Sequence, residues 1–394
     1  MSGILTLNAG SSSLKFGLYE HADDPVLLVH GQIDGIGNAA RLILQSGNTK
    51  TEEHVSADTQ HDALNLVIKA LATHTRALEI SGVGHRVVHG GPEFATPVVL
   101  TPEMQRALEA FSPLAPLHQP HNLAGVTAAR EIFPDAVQVA CFDTAFHRGH
   151  PWVNDTFALP RAFYDEGIRR YGFHGLSYDY VTGVIARDFP DLHRGRVIIA
   201  HLGNGASMCA TRHGKSVGSS MGFSALDGLP MGTRCGQIDP GVVLHLIEER
   251  GIAPRDVLAL LYKKSGLLGL SGISGDMRTL LASDAPEAKQ AIDYYVFRAR
   301  REIGGLSAVL GGVDGLVFCG GIGENAAVIR ERIVEGMDYL GLKMNGGDRS
   351  DPRDIGGGPT RILVIATDEE RVIARAVRAA MAAKPASQSA TMHP

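Results

Sequence analysis

The sequence predicts an α/β protein with mixed β-sheets in two related lobes. Three observations carry that prediction. Strand-like apolar runs and helix-spaced stretches interleave along the chain. A strand, a short Gly/Ser-rich turn and a second strand occur at the start and again in the middle. Glycine is abundant, 47 of 394 residues, with no collagen period, so it serves turns and close backbone approaches.

The elements follow in order. Ile4–Leu7 and Leu14–Tyr19 read as strands around the turn 8–13. Residues 62–78 carry Leu64, Val67, Ile68 and Leu71 at helical spacing. Val83–Val88 and Ala136–Phe142 read as buried strands, with a helix opening at Thr101-Pro102-Glu103 and a proline-rich loop over Ser112–Asn122 between them. Val197–Leu202, the turn 203–207 and residues 208–211 repeat the opening hairpin. Helices are expected over 240–249, 254–263 and 286–306. Gly315–Cys319 forms a strand that the turn 320–325 leads into a helix from about Ala326. Arg361–Ala366 and Glu369–Ala383 form the last strand and helix, followed by a flexible tail. At about 150 residues per domain the length suits two or three domains. The clearest boundary, near 147–152, gives one domain of 1–147 plus 372–394 and a second of 148–371.

Composition excludes several classes. Lys and Arg number 37 against 42 Asp and Glu, a net charge of −5, which argues against a general nucleic-acid binder. The hydrophobic fraction of 44% excludes wholesale disorder. Cys141, Cys209, Cys235 and Cys319 are widely spaced, which excludes C-x-x-C zinc or redox motifs and suits a reducing cytoplasm. Neither a signal peptide nor a membrane span is expected.

The remaining signals point to anions. Turns 8–13, 203–207 and 320–325 offer clustered backbone N–H groups, and Lys15 follows the first. Gly214-Lys215-Ser216 fails as a Walker A end because Cys209 stands where its first glycine belongs. Gly321-Ile322-Gly323-Glu324-Asn325-Ala326 matches a dinucleotide fingerprint, but no acidic strand end follows about 20 residues later. In GHRVVHGG, strand alternation puts Arg86 beside Val88, a pair suited to a small carboxylate with a short alkyl tail. His85 and His89 lie on the opposite face and read as core residues rather than metal ligands. Arg234 and His174 each sit among glycines, and Asp143 closes a strand. With Asn8 they form a set suited to phosphoryl transfer, where catalysis is mostly positioning and charge stabilisation.

LNAGSSSLKF, GHRVVHGG, CFDTAFH, YGFHGLSY, HLGNGASM, MGFSALDGLPMGTRCG, FCGGIGENA and TDEERVIAR, in this order from residue 4 to about 376, resemble the acetate kinase (acetokinase) family. The resemblance implies the two-lobed acetate and sugar kinase/Hsp70/actin fold, RNase H-like, with a central cleft. It implies Mg²⁺- or Mn²⁺-dependent, reversible in-line transfer of the ATP γ-phosphoryl group to acetate by a cytoplasmic homodimer. By the family pattern Asn8 and Glu369 hold the metal, Lys15 belongs to the first phosphate loop and Arg86 binds the acyl carboxylate. Asp143 is the essential acid, and His174 and Arg234 stabilise the transferring phosphoryl. Val88, Leu117 and Phe173 line the acyl pocket. ATP would contact His201, Leu202, Gly203, Asn204, Gly205, Asp276, Met277, Arg278, Gly321, Ile322, Gly323, Glu324 and Asn325. Ala225 replaces the family's pocket proline, which leaves a propionate or other short-chain acid kinase open. A nucleotide switch of the actin/Hsp70 kind is the alternative from another class.

Overall fold

The computed structural model describes residues 2–72, 79–116, 118–344 and 351–383. The chain packs as two compact units. One takes the chain up to Ala145 and from Asp368 onward, and the other is Phe146–Thr367. The expected crossings, after 147 and before 372, fall a few residues beyond the observed ones.

Among the described residues the first unit carries eight strands: β1 (Ser2–Ala9), β2 (Ser13–Glu20), β3 (Val26–Asp34), β4 (Ala40–Ser46), β5 (Thr49–Val55), β6 (Glu79–Val87), β7 (Val98–Val99) and β8 (Val137–Phe142). Their order in the sheet is β5-β4-β3-β2-β1-β6-β8-β7. β1, β6 and β8 run parallel, while the β1–β5 meander is antiparallel. The helices Gln60–Ala72 and Gln119–Ile132 cover one face. Leu5, Leu7, Phe16 and Leu18 join Leu64, Val67, Ala128 and Ala129 there in one buried core. The C-terminal helix Glu369–Ala383 packs against β6. Two glycines permit that approach. A Cβ on Gly84 would stand 2.3 Å from Ile373, and one on Gly82 would stand 2.5 Å from Val377.

The second unit carries β9 (Arg196–Leu202), β10 (Ala206–Arg212), β11 (Lys215–Ser219), β12 (Gly315–Cys319) and β13 (Arg361–Val364), in the order β11-β10-β9-β12-β13 among the described residues. β9, β12 and β13 are parallel, and the β9–β10 hairpin is antiparallel. The fold is therefore α/β with two mixed sheets. In each sheet the hairpin pairs with parallel strands whose carboxyl ends finish in loops, the usual place for ligands in such sheets.

Several expectations need correction. Part of the proline-rich segment is helical: Ser112–Leu114 forms a 3-10 turn, and Pro120 stands in the first turn of the helix Gln119–Ile132. The turn expected at 320–325 is a helix, Gly320–Asn325, in which the Glu324 side chain accepts the Gly320 N–H at 2.8 Å. That bond satisfies an N-terminal donor which the glycines alone would leave unpaired. The strands β3–β5 and the helix Gly175–Asp188 gave no signal strong enough to be named. Helix residues expected at 73–78 and the expected flexible tail from 384 lie outside the described residues.

His85 is fully enclosed, and its Nε2 lies 2.8 Å from Gln138 Oε1. Burial pushes its imidazole from 6.5 down to about 4, although the Gln138 bond acts in the opposite direction. The unfolded chain therefore takes up this proton first on acidification. Stability from the neutral, buried ring is complete above about pH 6.5 and is lost toward about pH 4. The urea midpoint should fall across that window, and His85→Gln should fall less steeply. Parallel curves for the two proteins would refute this.

Candidate active site

In the first unit, Asn8, Arg86 and Asp143 come together because β1, β6 and β8 are adjacent and end at the same edge. Asp143 is almost fully enclosed, with its side chain 2% exposed, and Arg86 is 21% exposed. Arg86 Nε donates to both Asp143 oxygens at 3.1 Å, and Nη2 donates to Oδ2 at 2.5 Å. Nη1 donates to Asn8 Oδ1 at 3.2 Å. The Asp143 bonds occupy the Nε–Nη2 edge of the guanidinium, and the Asn8 bond takes one N–H of Nη1. One N–H on each terminal nitrogen remains for a further acceptor.

Glu369 opens the C-terminal helix, and its Oε2 lies 3.8 Å from Arg86 Nε. Burial raises its carboxyl from 4.5 to about 7. Arg86 and Lys15 oppose the rise, and Asp143 and Glu370 add to it. Burial acts against the Arg86 charge, but Asp143 and Glu369 more than offset it, so the group is held above its ordinary range. Lys15 is exposed on β2, across from Asn8 in the hairpin register. Val88 is buried just past β6, and its N–H donates to Asn122 Oδ1 at 3.0 Å. Leu117 lies outside the described residues. His85 and His89 are buried and bonded within the core, as expected.

In the second unit, His174 and Arg234 meet at the Gly203–Gly205 turn that joins β9 to β10. A Cβ placed on Gly205 would lie 3.1 Å from His174 Nε2 and 3.9 Å from Arg234 Nη1. Arg234 is steered there by its Nη1, which donates to the carbonyl of half-buried Ala225 at 3.1 Å. His174 stacks on His201, with ring centroids 4.4 Å apart. Its Nδ1 lies 2.8 Å from Ser207 Oγ, and His201 Nδ1 lies 2.8 Å from Ser177 Oγ. Phe173 is buried in this unit.

A cavity of about 720 Å³ opens beside the same turn. Gly203, Asn204, Asp276, Met277, Arg278, Gly321, Ile322 and Asn325 line it, all of them expected nucleotide contacts. Gly275, Leu281 and Ala326–Val328 also line it and were missed, because small and aliphatic residues carry no chemical signature in a sequence. Asp276 caps the helix Met277–Leu281 by accepting the Arg278 N–H. Leu202, Gly205, Gly323, Glu324 and His201 do not line the cavity. Leu202 is buried in β9, and Glu324 accepts from the Gly320 and Thr367 N–H groups, which ties the β12 loop to the β13 loop.

The chain matches the model of the acetokinase family over residues 3–375. It is 51% identical over 389 residues to an acetate kinase of Methylocella silvestris, covering 94% of this chain and 96% of that protein. It is 47% identical over 393 residues to an acetate kinase of Rhodopseudomonas palustris, covering 95% and 97%. Among solved structures, an acetate kinase of Porphyromonas gingivalis superposes with a TM-score of 0.86 at 36% identity, covering 97% of this chain and all of that one. A propionate kinase from Francisella tularensis superposes with a TM-score of 0.89 at 35% identity, covering 96% and 100%.

The Arg86–Asp143 pair should behave as a buried ion pair. Arg86→Met leaves the Asp143 charge uncompensated and should destabilise the protein by about 3 kcal/mol or more in urea titration. Arg86→Met/Asp143→Leu should recover a large part of that loss. A double variant no more stable than the single one would contradict the pairing.

Proposed function

The chain belongs to the acetokinase family, and from that premise we propose that it transfers the γ-phosphoryl group of ATP to acetate, reversibly, giving acetyl phosphate and ADP. The observation that carries this reading is the convergence of His174 and Arg234 on the Gly203–Gly205 turn, whose Gly203 and Asn204 line a nucleotide-sized cavity. Two cationic or N–H-donating groups aimed at one backbone turn suit a transferring phosphoryl, whose charge is spread over three equatorial oxygens.

Acetate is ionised at neutral pH, since carboxyl groups of this kind titrate at about 4–5. The nucleophile therefore needs no general base. The remaining terminal N–H groups of Arg86 take its carboxylate and offset the repulsion between two anions. Asp143 is a positioning group here, because its fork on Nε and Nη2 leaves the guanidinium one orientation. Val88, buried just past β6 in the same unit, is assigned to the methyl end. His174 and Arg234 bind the phosphoryl oxygens most strongly as the group passes in line from ADP to acetate. The second-unit cavity takes the nucleoside.

Among the described residues no cluster of three or more His, Cys, Asp or Glu groups is arranged as a metal cage. Mg²⁺ does not require one, since it is usually held by one or two carboxylates plus phosphate oxygens and water. The Asn8 carboxamide oxygen and the Glu369 carboxylate flank Arg86 and supply the hard oxygen donors this ion prefers. Asn8 and Glu369 would hold Mg²⁺, with Mn²⁺ as its substitute. When bound, the ion neutralises phosphate charge and orients the polyphosphate.

We also propose a homodimer. The helix Pro240–Glu248 is apolar in sequence yet has no buried residue, with Leu244 55% exposed, and Phe297 on the helix Pro286–Leu310 is 61% exposed. The Arg298 side chain donates to Gln237, which ties the helix Pro286–Leu310 to the segment just before Pro240–Glu248. Among the described residues no helix is long and apolar enough to cross a membrane. The assignment to the cytoplasm rests on the family resemblance alone.

Incubation with ATP, Mg²⁺, hydroxylamine and a panel of short acids should yield acetyl hydroxamate. Slow ATP hydrolysis without acid dependence would replace this reading with a nucleotide switch. Acetate and propionate should differ by about 10- to 200-fold in kcat/KM, the worth of one methylene in a pocket. A preference for propionate would assign the smaller Ala225 side chain to a longer acyl group. Arg234→Ala should lose about 100-fold or more in kcat at an unchanged urea midpoint, and turnover near wild type would contradict its role. Leu244→Glu/Phe297→Glu should sediment as a monomer if the dimer assignment holds.

A further inference from the structure

His174 has an unusual backbone. It lies at φ 59° and ψ 25°, and among the described residues only His213 is another non-glycine with positive φ. L-residues avoid this left-handed region, so something must hold His174 in it. The φ angle of His174 follows the plane of the peptide bond that joins it to Phe173. The carbonyl of that peptide is gripped from outside the turn: His147 Nε2 lies 3.0 Å from Phe173 O.

The chain of bonds behind His147 has one consistent direction. A carbonyl only accepts, so Nε2 of His147 carries the proton. The ring is fully enclosed and held neutral by burial, its imidazole pushed down to about 3. Its Nδ1 is then an acceptor, and the Ser216 hydroxyl donates to it at 2.8 Å. Ser216 Oγ is left to accept, and His150 Nε2 donates to it at 2.6 Å. No member can reverse without losing a bond. A second observation ties the same ring to the same turn. Gly172, at φ 73°, passes so close to the ring face that a Cβ there would stand 2.6 Å from His147 Cγ and Cδ2. The segment 172–174 is thus clamped on its face by packing and at its carbonyl by a directional hydrogen bond.

We propose that His147 is a positioning residue for phosphoryl transfer: through the Phe173 carbonyl it locks His174 in its left-handed conformation, with Ser216 and His150 fixing the His147 tautomer. The proposal rests on the reading of His174 as a group that stabilises the transferring phosphoryl. No function has been derived above for His147, His150 or Ser216, and none of them lines the nucleotide cavity.

The test uses Ser216→Ala, which removes one hydroxyl and leaves His147 in place, together with Ser216→Thr, His174→Ala and the double variant Ser216→Ala/His174→Ala. Ser216→Ala should lower kcat by about tenfold or more, with KM for ATP and acetate within about twofold and the enzyme still folded at the assay temperature by circular dichroism. Ser216→Thr keeps the hydroxyl and should restore kcat. In the His174→Ala background the Ser216→Ala loss should disappear, because the group being positioned is gone. Imidazole ¹⁵N spectra of the wild-type enzyme should show His147 protonated on Nε2. Full kcat in Ser216→Ala, equal losses in both backgrounds, or an Nδ1-protonated His147 would each overturn the proposal. Wild-type turnover in His174→Ala would overturn it by a different route, since that result removes the role of His174 itself and is read in a variant that leaves His147 and Ser216 untouched.

Discussion

The fork between Arg86 and Asp143 is the interaction on which the first unit's chemistry depends. A carboxylate as enclosed as Asp143 is costly to bury unless a cation meets it with good geometry. The three adjacent strand ends supply that geometry, because parallel pairing of β1, β6 and β8 brings Asn8, Arg86 and Asp143 to one edge without any long loop. The same fork does a second task. By occupying Nε and one terminal N–H, it turns a flexible side chain into a fixed donor pair. A rigid charge can recognise a planar anion at lower entropic cost than a mobile one.

The second unit solves a different problem by different means. Its sheet also ends in glycine-rich backbone, but the groups gathered there come from separate segments: a left-handed residue before the helix Gly175–Asp188, an arginine from an irregular stretch, and the β9–β10 turn. None of these is rigid by secondary structure alone. They are held by side-chain bonds to backbone, as at Ala225 for Arg234 and at Phe173 for the chain next to His174. Polar networks of this kind carry high stakes in a low-dielectric interior, since an unmet partner is expensive.

The sequence made the fold class legible because its strands and helices are strongly punctuated. Proline at the helix starts of 240, 254 and 286, and glycine after β1 and β9, mark the boundaries that the structure shows. What escaped were elements whose formation depends on partners distant in sequence. β5 reads TKTEEHV and is exposed up to the half-buried Val55, so no apolar alternation announces it, and it exists by pairing with β4. The helix Gly320–Asn325 is masked by its glycines and revealed only by the Glu324 bond. In the candidate site, charged and glycine-flanked residues stood out. Leu281 and Ala326–Val328 did not, because a cavity wall is defined by shape rather than by residue chemistry. The grip of His147 on Phe173 was equally invisible, since a histidine closing a strand-end motif looks the same whether it faces a ligand or a carbonyl.

The glycine pair on β6 has a consequence for biosynthesis. By letting the helix Glu369–Ala383 lie directly on that strand, Gly82 and Gly84 make a helix translated after both sheets the cover for strands that leave the ribosome well before it. Until that helix emerges, the face of β6 that holds Gly82 and Gly84 is uncovered in the nascent chain, and Phe146–Thr367 must be synthesised in the interval. Domains generally fold as they emerge, earliest first. Here the amino-terminal unit is instead the one obliged to wait, and a nascent chain stalled short of residue 369 would expose a surface that chaperones recognise.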